Sequence, residues 1–237
     1  MLTIKNIAKS AGGMRARAVF CLSLGLGLAA ALAGCSVLPD PPKRAEVYDF
    51  GPGLPTVATP TASAGAATAT PAALPPLALA EVSTTGMPEG STALLYRLDY
   101  ANAQQLRPYA QTRWSQPPAQ LVQQALRDEL GQRRAVLLGE SGVGQLLDNG
   151  RPPTVVRAQL EEFSQVFSAP GTSAGLVRLR VSVADSTTAG EKLVAQRVFT
   201  VQRPAPTADA VGGTRALAEA ARQASAEVER WLEQLGR

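Results

Sequence analysis

The chain has 237 residues, of which 23 are basic and 19 acidic, with 45% hydrophobic and only 5% aromatic side chains. It contains no histidine, which excludes Ser–His–Asp and Cys–His nucleophile systems and every His-ligated metal site. Two cysteines, Cys21 and Cys35, are too few for a four-thiolate zinc site, so no metal and no cofactor are expected.

The first element is an export signal. Lys5, Lys9, Arg15 and Arg17 are the only charged residues of 1–34, and 35–237 carries 19 charges of each sign. The basic pI therefore belongs to the N-terminal segment and gives no argument for nucleic-acid binding by the rest. Ala18 to Ala33 is an uncharged run of 16 residues, rich in Gly and Ala. A helical membrane span needs about 20 apolar residues, so a basic start and a short apolar run describe a signal peptide over 1–34. Its exit, Leu32-Ala33-Gly34-Cys35, matches the bacterial lipoprotein box L-[AS]-[GA]-C. Cleavage between Gly34 and Cys35, thioether lipidation of Cys35 and acylation of the new terminus, with palmitate as the acyl group, are expected. The sulfur is the nucleophile that takes the diacylglyceryl group. Ordinary signal cleavage beside an incidental cysteine is the alternative. Met14-Arg15-Ala16-Arg17 would start a compact signal by itself, so Met1 and Met14 both stand as initiators. Ser36, unlike Asp at that place, permits transfer to the outer membrane.

Residues 35–46 form a Pro-rich tether, which favours extended backbone. Residues 47–237 form the domain, beginning with a strand-like piece at Val47–Gly51. Within it, 52–76 is rich in Ala, Thr and Pro, lacks charge, and is expected as a flexible segment. Strands are predicted at 77–82, 93–100 and 106–114. Pro117 and Pro118 open a helix whose apolar face is Leu121, Val122, Ala125, Leu126 and Leu130, with Gly131 as its stop. A short strand follows at 135–138. The alternation Val156, Ala158, Leu160 changes phase at Glu161-Glu162 before Phe163 and Phe167, which predicts a bulge. Val177, Leu179, Val181 and Val183 alternate with Arg178, Arg180 and Ser182, and 192–202 returns as the hairpin partner. The last helix spans 208–235, with Leu217, Ala220, Ala224, Val228, Trp231 and Leu235 as its stripe and Glu229 largely off it. The fold class is α+β: a mainly antiparallel sheet packed by two amphipathic helices.

Gly139-Glu140-Ser141-Gly142-Val143-Gly144 has the glycine spacing of a phosphate loop, but Gln145 and Leu146 stand where Lys and Ser or Thr are required. Glu161 and Glu162 could serve as paired carboxylates only if a bulge turned them to one face; exposed charges are the bland alternative. Arg178, Arg180 and Arg197 could line one sheet face, with simple solvation favoured. Trp114 and Trp231 suit core or interface anchors.

Four stretches follow the lipoprotein box in order: Tyr48-Asp49-Phe50-Gly51, Leu95-Tyr96-Arg97, Tyr109-Ala110-Gln111-Thr112-Arg113-Trp114, and Pro117-Pro118-Ala119-Gln120-Leu121-Val122. In this the chain resembles the ABC-type transport auxiliary lipoprotein family, which includes the paraquat-inducible protein C-like lipoproteins. The likeness covers Tyr48 to Trp231. Phe50 replaces the usual Leu, and the Ala/Thr/Pro segment is longer than in compact members. The resemblance implies a lipid-anchored protein on the periplasmic face of a Gram-negative outer membrane. Its implied partners are an MCE-domain (mammalian-cell-entry) protein with its ABC permease and ATPase, serving lipid traffic between membranes. It implies no catalytic residue, no nucleic acid, and leaves a homo-oligomer open. Docking is expected around Tyr109, Arg113 and Trp114, a mixture of interface-prone residue types. A lipoprotein that activates a cell-wall enzyme, or that is structural, is the rival reading.

Overall fold

A computed structural model describes residues 44–52, 74–147, 150–187 and 190–237. The signal peptide, Cys35, most of the tether and most of the 52–76 segment lie outside them. Residues 44–237 make one compact unit.

The strands are β1 (Glu46–Tyr48), β2 (Leu77–Leu79), β3 (Ser83–Thr84), β4 (Ala93–Leu98), β5 (Ala103–Trp114), β6 (Val136–Leu138), β7 (Thr154–Ala169), β8 (Thr172–Thr187) and β9 (Gly190–Pro204). The helices are α1 (Asp99–Asn102), α2 (Pro118–Leu130), α3 (Gly139–Val143) and α4 (Ala210–Gln234). All nine strands belong to one mixed sheet.

Strand β7 organises it. One edge of β7 pairs with β8 along its whole length, antiparallel, and β8 pairs the same way with β9. The other edge takes three short parallel partners in succession: β2 at Thr154–Val156, β3 at Gln159–Leu160 and β4 at Gln165–Phe167. The sequence run 77–82 is thus broken into β2 and β3, which meet the same strand at different heights. Beyond β4 lie antiparallel β5 and parallel β1; beyond β2 lies parallel β6. The long pairings are antiparallel and the short ones parallel, because β2, β3 and β4 all reach β7 from crossover connections rather than hairpins.

One face of the sheet is covered by α2 and α4. Val177, Leu179, Val181 and Val183 of β8, fully buried, stand opposite Phe163, Leu160, Ala158 and Val156 of β7 on that face. Each such side chain removed from water contributes about 1.5–3 kcal/mol. The α2 helix starts with Pro118 in its first turn and turns Leu121, Val122, Leu126 and Leu130 inward, as its periodicity predicts. The α4 helix is capped by Asp209, whose carboxylate accepts from the Gly212 amide at 2.8 Å. That bond, foremost, lowers the Asp209 pKa. Helix and sheet meet closely at Gly175: a Cβ there would lie 2.6 Å from the backbone of Ala216 and Leu217.

Three sequence expectations change. Glu229, placed off the apolar stripe, is buried. Arg197 does not share a face with Arg178 and Arg180. It stands opposite Val181, on the helix-covered side, with its guanidinium 5.1 Å from the Phe199 ring. Between Ala195 and Arg203 the odd-numbered residues of β9 face the core side, because the register there pairs them with odd-numbered residues of β8 such as Val181. The 93–100 strand stops at Leu98, where the chain makes the single turn α1.

Candidate docking site

The β4–β5 ribbon carries the residues expected to dock a partner. Its register slips between Ala93, opposite Arg113, and Leu95, opposite Pro108. The extra β5 residues between these positions change the side-chain phase. Tyr109 and Trp114 therefore both turn inward despite their odd separation, and Arg113 turns out.

Trp114 is 1% exposed. Its ring meets Phe50 and Phe163 edge-on at centroid distances of 5.6 and 5.5 Å. Its amide donates to the Thr92 carbonyl at 2.7 Å. Tyr109 is half-buried, its ring 4.7 Å from that of Tyr96. Its hydroxyl donates to Gln165 Oε1 at 2.8 Å, and Gln165 Nε2 donates to Ser173 Oγ at 2.8 Å. Gln165 is fully buried beneath Gly213 of α4, where any Cβ would collide with its amide. Burial, then the neighbouring Tyr96, pushes the Tyr109 pKa up to about 12, so the phenol remains a donor. Arg113 is exposed, opposite Val47 of the edge strand β1. The three residues do not form one surface. Arg113 is open to a partner, while Tyr109 and Trp114 hold the ribbon from beneath.

The bulge lies at Glu161: Leu160 faces Leu179 and Glu162 faces Arg178. Leu160 and Phe163 both enter the core, so both glutamates fall on the opposite face. Each is taken by arginine. Arg178 Nε and Arg180 Nε donate to Glu161 at 2.8 and 2.6 Å. Arg97 donates to both oxygens of Glu162, at 3.2 and 2.9 Å, and Ser164 Oγ donates to it at 2.6 Å. Carboxylates so committed are poor proton carriers; they fasten β4, β7 and β8 together. The 139–144 stretch forms α3, a five-residue helix with Gly139 at φ 65°, and offers no lysine to a phosphate. Gly142 sits on Leu137, where a Cβ would fall 2.6 Å from backbone.

A groove of about 420 Å³ opens between the 81–91 segment and the start of α2, lined by Val82, Met87, Leu95 and Pro118 among others. Among the described residues no cluster of three His, Cys, Asp or Glu could hold a metal, and no helix is long and apolar enough to cross a membrane. Sequence reasoning missed Gln165 and the Arg134–Glu229 pair. Both are polar residues within apolar patterns, and nothing local marks their partners.

Comparison with known proteins decides the family. Residues 57–229 match the model of the ABC-type transport auxiliary lipoprotein component. The chain belongs to that family. An auxiliary lipoprotein of an ABC-type transport system is an envelope-associated protein, and the family is one of transport accessories rather than enzymes. Two crystal structures share the fold of this chain. Protein XCC0632 from Xanthomonas campestris is 19% identical, with a TM-score of 0.55, covering 70% of this chain and 88% of that one. An uncharacterised protein is 13% identical, with a TM-score of 0.53, covering 80% of this chain and 99% of that one. No curated protein matches.

Proposed function

We propose that this auxiliary lipoprotein tethers and docks an MCE-type ABC transporter at the outer membrane, in lipid traffic between membranes. The observation that carries the reading is the family match over 57–229 downstream of Leu32-Ala33-Gly34-Cys35. In this organisation 1–34 is removed as a signal, Cys35 carries the lipid, 35–46 is the tether and 47–237 is the auxiliary domain, with 52–76 as a flexible insert. Two or three acyl chains hold a protein stably, since each buried methylene contributes about 0.8 kcal/mol. Anchoring raises the local concentration of the docking surface, which converts a weak contact into an effective one.

The docking contact is Arg113, exposed on a ribbon that Trp114 and Tyr109 fix from inside. The partner is the MCE-domain protein with its permease and ATPase. The test places a photo-crosslinking residue at position 113 of the chain in its own envelope. An MCE-domain protein in the crosslinked product, lost in an Arg113→Glu background with the crosslinker moved to position 47, supports the reading. Recovery of a cell-wall synthase instead would establish the rival reading. Mass spectrometry of the mature terminus tests Cys35 separately: an unmodified Cys35 or a retained signal removes the anchor from the proposal.

A further inference from the structure

On α4, Arg215, Glu219 and Arg222 follow one another at positions i, i+4 and i+7, which places them on one exposed stripe. Two shallow grooves flank the stripe. One, of about 410 Å³, runs between β1 and α4 and is lined by Val47, Phe50, Val211, Arg215 and Arg222. The other, of about 590 Å³, shares both arginines and adds Arg203, Pro206 and Glu219. Val47 and Val211 are exposed apolar side chains on the rim of the first groove.

The carboxylates of this face keep their charge but have hydrogen-bonded or ion-paired partners. Glu46 accepts from the Tyr48 hydroxyl at 2.7 Å, Asp49 from the Gly51 amide at 2.8 Å and Asp209 from the Gly212 amide at 2.8 Å. Glu219 holds Arg222 at 3.2 Å and lies 3.6 Å from Arg203. Arg215 and Arg44, both exposed, make no hydrogen bond or ion pair among the described residues, although Arg215 acts through space on the Asp209 carboxylate and on Tyr48. A guanidinium whose N–H groups are not hydrogen-bonded, set between exposed valines, suits a phosphate at an apolar boundary: the planar fork binds phosphate oxygens in pairs and is weakly hydrated.

The chain also leads here. Arg44 lies two positions before the start of β1, and eight residues, or nine Cα steps, separate it from Cys35. Fully extended, they reach at most about 30 Å. The opposite edge of the sheet, β9, lies five strand steps from β1, about 24 Å farther off.

We propose that the β1–α4 face rests on the headgroup layer of the membrane in which Cys35 is anchored. Arg215 and Arg44 ligate lipid phosphates, and Val47 and Val211 enter the interface. The Leu193 end of β9 and the sheet face bearing Arg178 then point away from the bilayer. This orientation rests on the reading of Cys35 as the lipidation site.

The test uses the lipidated mature protein in vesicles of phosphatidylethanolamine and phosphatidylglycerol. The Cys35 thiol is occupied by lipid, so a single engineered cysteine can be labelled. Val211→Cys and Leu193→Cys, the latter on β9, each receive a fluorophore, and a headgroup-spin-labelled lipid acts as quencher. Several-fold stronger quenching at 211 than at 193 is expected. The difference should vanish in Arg44→Glu/Arg215→Glu, and at about 1 M salt, where the Debye length shrinks to about 3 Å. Protein that floats with the vesicles but shows equal quenching at the two positions, or quenching indifferent to charge reversal and salt, overturns the orientation alone. Protein that fails to float overturns the anchor and the orientation with it.

Discussion

The Arg134 guanidinium donates to the Glu229 carboxylate at 2.8 Å, joining the loop after α2 to the last turns of α4 across 95 positions of sequence. The Arg134 side chain is completely enclosed, and its Nε and Nη1, like Glu229 Oε2, have no hydrogen-bond partner among the described residues. Such a pair is under-satisfied for its burial. Removing one member strands a charge, whereas replacing both with apolar groups can be neutral. Arg134→Met should therefore lower stability by about 3 kcal/mol. Arg134→Met/Glu229→Leu should regain most of that loss. Urea denaturation of both variants measures it, and a double variant worse than the single one would contradict this account.

Glu161 sits at the bulge between two arginines. Burial alone would raise its pKa, but hydrogen bonds and charge from Arg180, then Arg178, outweigh this and hold it below the ordinary 4.5. The folded value is depressed, so the stability it contributes is present above pH 4.5 and lost as pH falls through the folded value. Glu161→Gln should cost about 1 kcal/mol at neutral pH, since the pair is partly solvated. It should also flatten the acid limb of the stability profile. An unchanged acid limb would show that Glu161 does not carry it.

Tyr109 links β5 to the buried Gln165. With its pKa raised from 10 to about 12, the unfolded chain ionises first, so stability should fall between about pH 10 and 12. Tyr109→Phe keeps the ring but leaves Gln165 Oε1 without its donor. A loss of about 1–2 kcal/mol is expected at neutral pH, together with disappearance of the tyrosine that titrates at about 12 in an ultraviolet titration. If no tyrosine titrates at about 12 in the native protein, the contact is absent.

Gly175→Ala sets a Cβ against the Ala216–Leu217 backbone, and neither strand nor helix can yield locally. A loss of about 3 kcal/mol is expected by thermal denaturation. Gly171→Ala is the control: nothing lies within 4 Å of its Cβ position, so it should be neutral or gain about 0.5 kcal/mol. Equal effects at the two sites would mean that helix and sheet do not meet at Gly175.

Local pattern determined much of this protein. Periodicity placed α2 and α4, and alternation placed the β7–β9 meander. The phase change at Glu161-Glu162 located the bulge, because a side-chain period of two leaves a visible fault when one residue is added. The ordered motifs from Tyr48 to Val122 sufficed to indicate the family. Tertiary structure decided what sequence could not. The faces of Arg113 and Arg197 depend on register with other strands, and a register shift within β4–β5 turned Tyr109 and Trp114 inward together. The burial of Glu229 and Gln165 depended on partners 95 and 56 residues away. The three short parallel strands on one edge of β7 are fixed only by long-range pairing. Period and propensity are properties of neighbours along the chain, while register, polar partners and the sharing of a face are properties of neighbours in space.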